Sequence, residues 1–116
     1  MKDFLLSFKY AFEGIFKTIK QEKNIKIHIL AVIIVLIFGT IYKISKTEWM
    51  VCIILFGLVI SSELINTAIE RTVDLVTKEK QPLAKQAKDA SAGAVLINAI
   101  MSVIIAGIIW IPKIFG

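Results

Sequence analysis

The chain has 116 residues, of which 57% are hydrophobic and 20% charged, and its formal net charge is +5. Soluble domains carry roughly 45–50% apolar residues, so this composition excludes an ordinary water-soluble fold and places the chain in a bilayer as one domain. The positive charge does not indicate nucleic acid: the lysines flank hydrophobic segments and form no basic patch interleaved with aromatic rings, so anionic headgroups and phosphates are the expected partners.

The segment Met1 to Lys26 lacks a continuous apolar stretch and a small-residue cleavage site, so it reads as mature protein. Within it Phe4, Leu5, Phe8, Phe12, Ile15, Phe16 and Ile19 recur three and four apart, with Lys2, Lys9, Glu13, Lys17 and Lys20 on other faces. This spacing predicts an amphipathic helix over about residues 1–22, lying on the membrane surface. A first transmembrane span is predicted at about 27–42, short for a bilayer unless its ends extend or Lys26 snorkels. A second is predicted at about 49–70. No helix breaker precedes Pro82, so this helix should continue past the membrane into water. Cys52, the single cysteine, lies in its apolar run and reads as a buried, inert thiol. The third span is predicted at about 90–111, with Trp110 as interfacial anchor and Pro112 as its stop. Ala90, Ala94, Asn98, Ser102 and Ala106 form a small-residue stripe along it that lets another helix approach closely.

The expected fold is therefore all-α, with three transmembrane helices and one surface helix. Lysines are dense before the first span and between the second and third, but the opposite side has only Lys43, Lys46 and Lys113. The positive-inside rule then makes the N-terminus and the second loop cytoplasmic, on the side where ATP is found.

Chemistry is concentrated in the stretch Ser61 to Asp74. Steps of three, four and four put Glu63, Asn66, Glu70 and Asp74 on one helix face, within about 60° of one another at ~100° per residue. Counted from Trp49 at ~1.5 Å per residue, Glu63 lies about 21 Å down the helix and Glu70 about 31 Å. Glu63 is thus expected just inside the cytoplasmic boundary, where a carboxylate costs on the order of 2–3 kcal/mol. Clustered carboxylates repel unless a cation neutralises them, and Mg²⁺ takes one or two carboxylates together with substrate phosphates. Metal-bound nucleotide accounts economically for the stripe; lysine pairing at a helix interface is the alternative.

Two further segments belong to the same end. Ala87-Lys88-Asp89-Ala90 opens the third span, where free N–H groups, the helix dipole and Lys88 could receive phosphate, although Asp89 could simply cap the helix. Glu22 links the surface helix to the first span at the level expected for Glu70, so it could complete a metal site from another helix. His28 and Asn24, four apart, read more naturally as a pair that caps or bridges helices, and one histidine with one interior cysteine leaves too few ligands for zinc.

These residues resemble the small bacterial integral-membrane diacylglycerol kinases and their undecaprenol kinase relatives. The resemblance is carried by Glu63-Leu-Ile-Asn66-Thr-Ala-Ile-Glu70-Arg-Thr-Val-Asp74, Ala87-Lys88-Asp89, Glu22-Lys-Asn24 with His28, and Phe8-Lys9-Tyr10-Ala11 with Gly14, in order over essentially the whole chain. It implies a homotrimer in the bacterial cytoplasmic membrane, with active sites shared between neighbouring subunits, ATP as co-substrate and Mg²⁺ as cofactor. It further implies Glu63 as catalytic base for the lipid hydroxyl and Glu22 and Glu70 as metal ligands that also contact ATP. Tyr10, Lys88 and Asp89 match ATP-contacting positions, Asn66 and Asp74 match polar active-site residues, and residues 79–81 fall in a loop expected to touch nucleotide. Asp3 stands where some members have a nucleotide-contacting arginine. The Glu22-Lys-Asn24 and His28 pattern is similar to the Gram-positive branch, which favours undecaprenol over diacylglycerol.

Phosphoryl transfer suits such a residue set, because it needs in-line positioning and charge neutralisation more than covalent help. Glu63, less solvated than Glu70, is the better general base. No Walker A sequence or Gly-rich kinase loop is present, which excludes soluble-kinase architectures. A transporter or ion-translocating subunit would need a polar route across the bilayer, and residues 50–60 provide none; a helical scaffold would use the stripe only for interhelical bonds.

Overall fold

A computed structural model describes residues 1–116 and contains four helices: α1 (Lys2–Gln21), α2 (Lys23–Ile41), α3 (Lys46–Val76) and α4 (Pro82–Phe115). The last three are long and apolar enough to cross a membrane, which makes the chain a multi-pass membrane protein. Only 11 of 116 residues are buried, and large apolar side chains are exposed along all four helices. Such a surface is compatible with lipid or with protein neighbours, and not with water.

No residue of α1 is buried. Its aromatic residues pair along one face instead: Phe4 and Phe8 meet edge to face at 5.0 Å, and Phe12 and Phe16 stack at 6.4 Å, as the i, i+4 spacing of a helix directs. One extended residue, Glu22, separates α1 from α2 (φ −104°, ψ 123°). The chain thus turns at the very residue singled out as a ligand.

The helix that carries the first predicted span extends upstream of residue 27 to Lys23 and ends at Ile41 in a Schellman arrangement. Lys43 N–H donates to Thr40 O at 3.3 Å and Ile44 N–H to Gly39 O at 3.1 Å, with Lys43 left-handed at φ 51°. Gly39 permits the tight return, since a Cβ there would lie 2.6 Å from the Trp49 ring. A capping box then starts α3: Ser45 Oγ accepts from Glu48 N at 3.1 Å, and Glu48 Oε1 accepts from Ser45 N at 2.9 Å.

α3 has 31 residues, about 46 Å at ~1.5 Å each, against a hydrocarbon core of roughly 30 Å. Its length exceeds that thickness, and it stops at Val76, ahead of Pro82. α4 corrects one expectation. Pro112 does not end the third span, because the helix runs on to Phe115. Proline removes its own N–H and crowds the preceding turn, but its fixed φ suits a helix, and the last turn closes through Gly116 N–H to Pro112 O at 2.9 Å.

α3 and α4 form the main packed pair, and Asn98 Nδ2 donates across it to Leu58 O at 3.1 Å. At the end away from Glu63, Glu70 and Asp74, Ile44, Cys52 and Ile109 form the core, backed by Trp49, Phe56 and Trp110. Lys113 meets Glu48 there at 3.3 Å.

Candidate functional site at the polar end of the helix bundle

α3 is the spine of the site. It carries Glu63, Asn66, Glu70 and Asp74 on successive turns, and each makes a polar contact in the folded chain. Glu63 is 4% exposed and its Oε1 lies 3.1 Å from His28 Nε2 on α2. With Glu63 as a carboxylate, which only accepts, the imidazole is the donor from Nε2. Asn66, also buried, accepts from Ser91 Oγ on α4 at 2.7 Å and donates from Nδ2 to Glu70 Oε1 at 3.3 Å. Those two bonds determine which way the amide is turned.

The outer half of the site is held by charge pairs. Arg71 donates to Glu22 Oε1 at 2.9 Å, bringing the α1–α2 junction against α3. Lys88 Nζ lies 2.5 Å from Asp74 Oδ1, linking α4 to the end of α3, and Lys85 bonds Asp89 at 2.6 Å along α4. Each pair has a side chain more than a third exposed, so each adds little to stability. Their effect is on position: three helices present their charged groups at one end.

Two bonded sets therefore lie along one face of α3, Glu63 with His28 and Asn66 with Ser91 and Glu70, while Glu22, Asp74 and Lys88 occupy the same end through their own partners. Asp89 is taken up by Lys85, and Tyr10 is exposed on α1 with no side-chain partner. Within one chain no three His, Cys, Asp or Glu residues converge on a common point. Glu22 and Glu70 nevertheless supply hard carboxylate oxygens, and Mg²⁺ needs only one or two of these when phosphates complete its shell. The donor chemistry therefore fits that ion.

Three contacts are not legible in the linear sequence. His28 does bridge helices, as expected, but its partner is Glu63, 35 positions away. Arg71 and Ser91 had no assigned role; the clue to Arg71 was a lone arginine beside Glu70 in a chain otherwise rich in lysine.

Next to the cluster lies an apolar cleft of about 220 Å³ between α2, α3 and α4. His28 and Val59 line the end nearest Glu63, and Val35, Cys52 and Trp110 the other.

A multi-pass helical chain with this polar end falls in the class of membrane-embedded lipid kinases, as comparison with known proteins shows. The family described as prokaryotic diacylglycerol kinase matches residues 9–110, and the chain belongs to that family. The undecaprenol kinase of Bacillus subtilis (strain 168) is 48% identical over 110 residues, covering 95% of this chain and 89% of that protein. A diacylglycerol kinase of Synechocystis is 35% identical over 113 residues, covering 97% of this chain and 65% of its own length. A diacylglycerol kinase of Pseudomonas aeruginosa is 30% identical over 96 residues, or 81% of this chain and 76% of that protein.

Proposed function

We propose that the chain transfers the γ-phosphate of ATP to the hydroxyl of undecaprenol at the cytoplasmic face of the bacterial cytoplasmic membrane, acting as a homotrimer. The observation that carries the reading is the buried Glu63 carboxylate, one and two turns from Asn66 and Glu70 and bonded to another helix through His28. A carboxylate kept from water at a membrane boundary is suited to take a proton from a lipid alcohol.

In the proposed reaction the alcohol oxygen attacks the γ-phosphorus and its proton passes to Glu63. The new O–P bond forms as the bond from the γ-phosphorus to the β–γ bridging oxygen breaks, and ADP leaves with that electron pair. Glu22 and Glu70 are the residues that would hold Mg²⁺, which when bound offsets the charge of the triphosphate. Arg71 and Asn66 keep these two carboxylates in place. Lys88 contributes positive charge at the start of α4, where the free N–H groups of a helix also favour phosphate. Tyr10, Asp89 and Asp74 complete the nucleotide side of the site.

Identity to the Bacillus subtilis undecaprenol kinase supports the polyprenol as acceptor. The apolar cleft ending at His28 supports a substrate with a hydrocarbon chain. Diacylglycerol is the second acceptor, favoured by the names of the more distant relatives. The trimer belongs to the same proposal, since neighbouring subunits would cover exposed apolar helix faces and complete a ligand set that one chain leaves open.

The test is thin-layer separation of products after incubating purified protein with labelled ATP, Mg²⁺ and either lipid. Faster conversion of undecaprenol is expected. Preference for diacylglycerol would replace the first acceptor by the second, and transfer to neither would remove the reading.

A further inference from the structure

We infer that His28 is a positioning residue for the reaction: by donating from Nε2 to Oε1 of Glu63 it holds the carboxylate so that Oε2 receives the proton of the lipid hydroxyl. The inference rests on Glu63 being the base. It adds a residue whose role is to aim that base.

Glu63 has one tether. Its Oε1 takes the bond from His28 at 3.1 Å, and Oε2 makes no hydrogen bond to the protein. Asn66, one turn along the same helix face, is committed to Ser91 and Glu70. The terminal torsion of a glutamate is broad and nearly two-fold, so an untethered carboxylate would sample many orientations. A hydrogen bond from a second helix removes that freedom at one oxygen and leaves the other for chemistry.

His28 stands where a polar side chain needs a partner, and Glu63 is the one it has. From Ile27 to Phe38 it is the only polar side chain on α2, and a polar group among apolar ones is tolerated when it finds a partner. Its side chain is 22% exposed against 5% for that of Glu63. It also lines the end of the apolar cleft. The imidazole therefore stands between the cleft and the carboxylate, and an alcohol arriving with its chain in the cleft meets His28 at the point where its hydroxyl reaches Glu63.

The experiment uses the full chain in vesicles with ATP, Mg²⁺ and undecaprenol at saturation, comparing His28→Leu, His28→Gln and His28→Asn with Glu63→Gln. A misplacement of about 1 Å can cost on the order of 100-fold in rate. Accordingly, His28→Leu is expected to lower kcat by about 10- to 100-fold, with KM for ATP unchanged. Glutamine carries an amide nitrogen near the position of Nε2 and is expected to recover most of kcat; asparagine, one carbon shorter, is not. Full kcat in His28→Leu together with an inactive Glu63→Gln would overturn the role of His28 and leave the base assignment standing. Sustained turnover in Glu63→Gln would overturn the base assignment itself. Should His28→Leu fail to fold, as judged by its circular dichroism, the other two variants decide: equal kcat in His28→Gln and His28→Asn refutes the tether.

Discussion

The hydroxyl of Ser91 on α4 donates to Oδ1 of Asn66 on α3 at 2.7 Å, and both residues are buried. With Oδ1 occupied, the amide must present Nδ2 on its other side, where Glu70 Oε1 lies at 3.3 Å. A serine at the head of one span thereby orients a carboxylate on another. Replacing Ser91 by Ala strands a buried acceptor, at a cost of about 1–3 kcal/mol. Thermal unfolding in detergent should show a lower midpoint and the Mg²⁺ titration of activity a weaker half-point. If neither moves, the amide does not need this bond.

Glu63→Gln keeps the size of the side chain and its ability to meet His28, but a neutral amide cannot accept the hydroxyl proton. Lipid phosphorylation is expected to fall by at least about 100-fold, the lower range for loss of a general base, while ATP binding measured by calorimetry stays near wild type. Loss of ATP binding as well would show that Glu63 serves the nucleotide and not the alcohol.

Glu70→Ala should change two quantities together. The concentration of Mg²⁺ giving half-maximal activity and the KM for ATP are both expected to rise by roughly tenfold or more, on the scale of one charge-assisted contact of about 1.5–3 kcal/mol. An unaltered metal titration would remove Glu70 from the ligand set.

Lys88 is held by Asp74, in a pair with both side chains more than a third exposed. Lys88→Met should therefore leave the melting temperature nearly unchanged. The KM for ATP is expected to rise by about tenfold or more, on the same charge-assisted scale. The reverse pattern, lost stability with normal ATP affinity, would make the lysine structural.

At the opposite end of the molecule, Gly39→Ala would set a Cβ 2.6 Å and 2.9 Å from two atoms of the Trp49 ring. Overpacking of this kind typically costs about 1–3 kcal/mol. Thermal unfolding should register that loss, while KM for ATP, a property of the other end, should not change.

Much of this architecture is legible in the linear chain. The three apolar runs and the aromatic periodicity of the first segment give four helices in the right order, because each signal repeats within a few turns of a single helix. The helix holding the span predicted at 27–42 extends back to Lys23, since lysines and Asn24 do not interrupt a helix, and Pro112 sits inside α4 because its fixed φ is a helical one. The Ser45 to Glu48 capping box was present in the sequence as a plain S-x-x-E pattern.

That Glu63, Asn66, Glu70 and Asp74 share one face follows from the helical repeat alone, since a helix brings i, i+3 and i+4 positions together whatever surrounds it. What each of them touches follows from how the helices pack. His28 and Glu63 are 35 positions apart, Glu22 and Arg71 49, and Asn66 and Ser91 25. Those meetings depend on how far one helix slides and turns against the next, which is set by the packing of whole helix faces and leaves no local period to read.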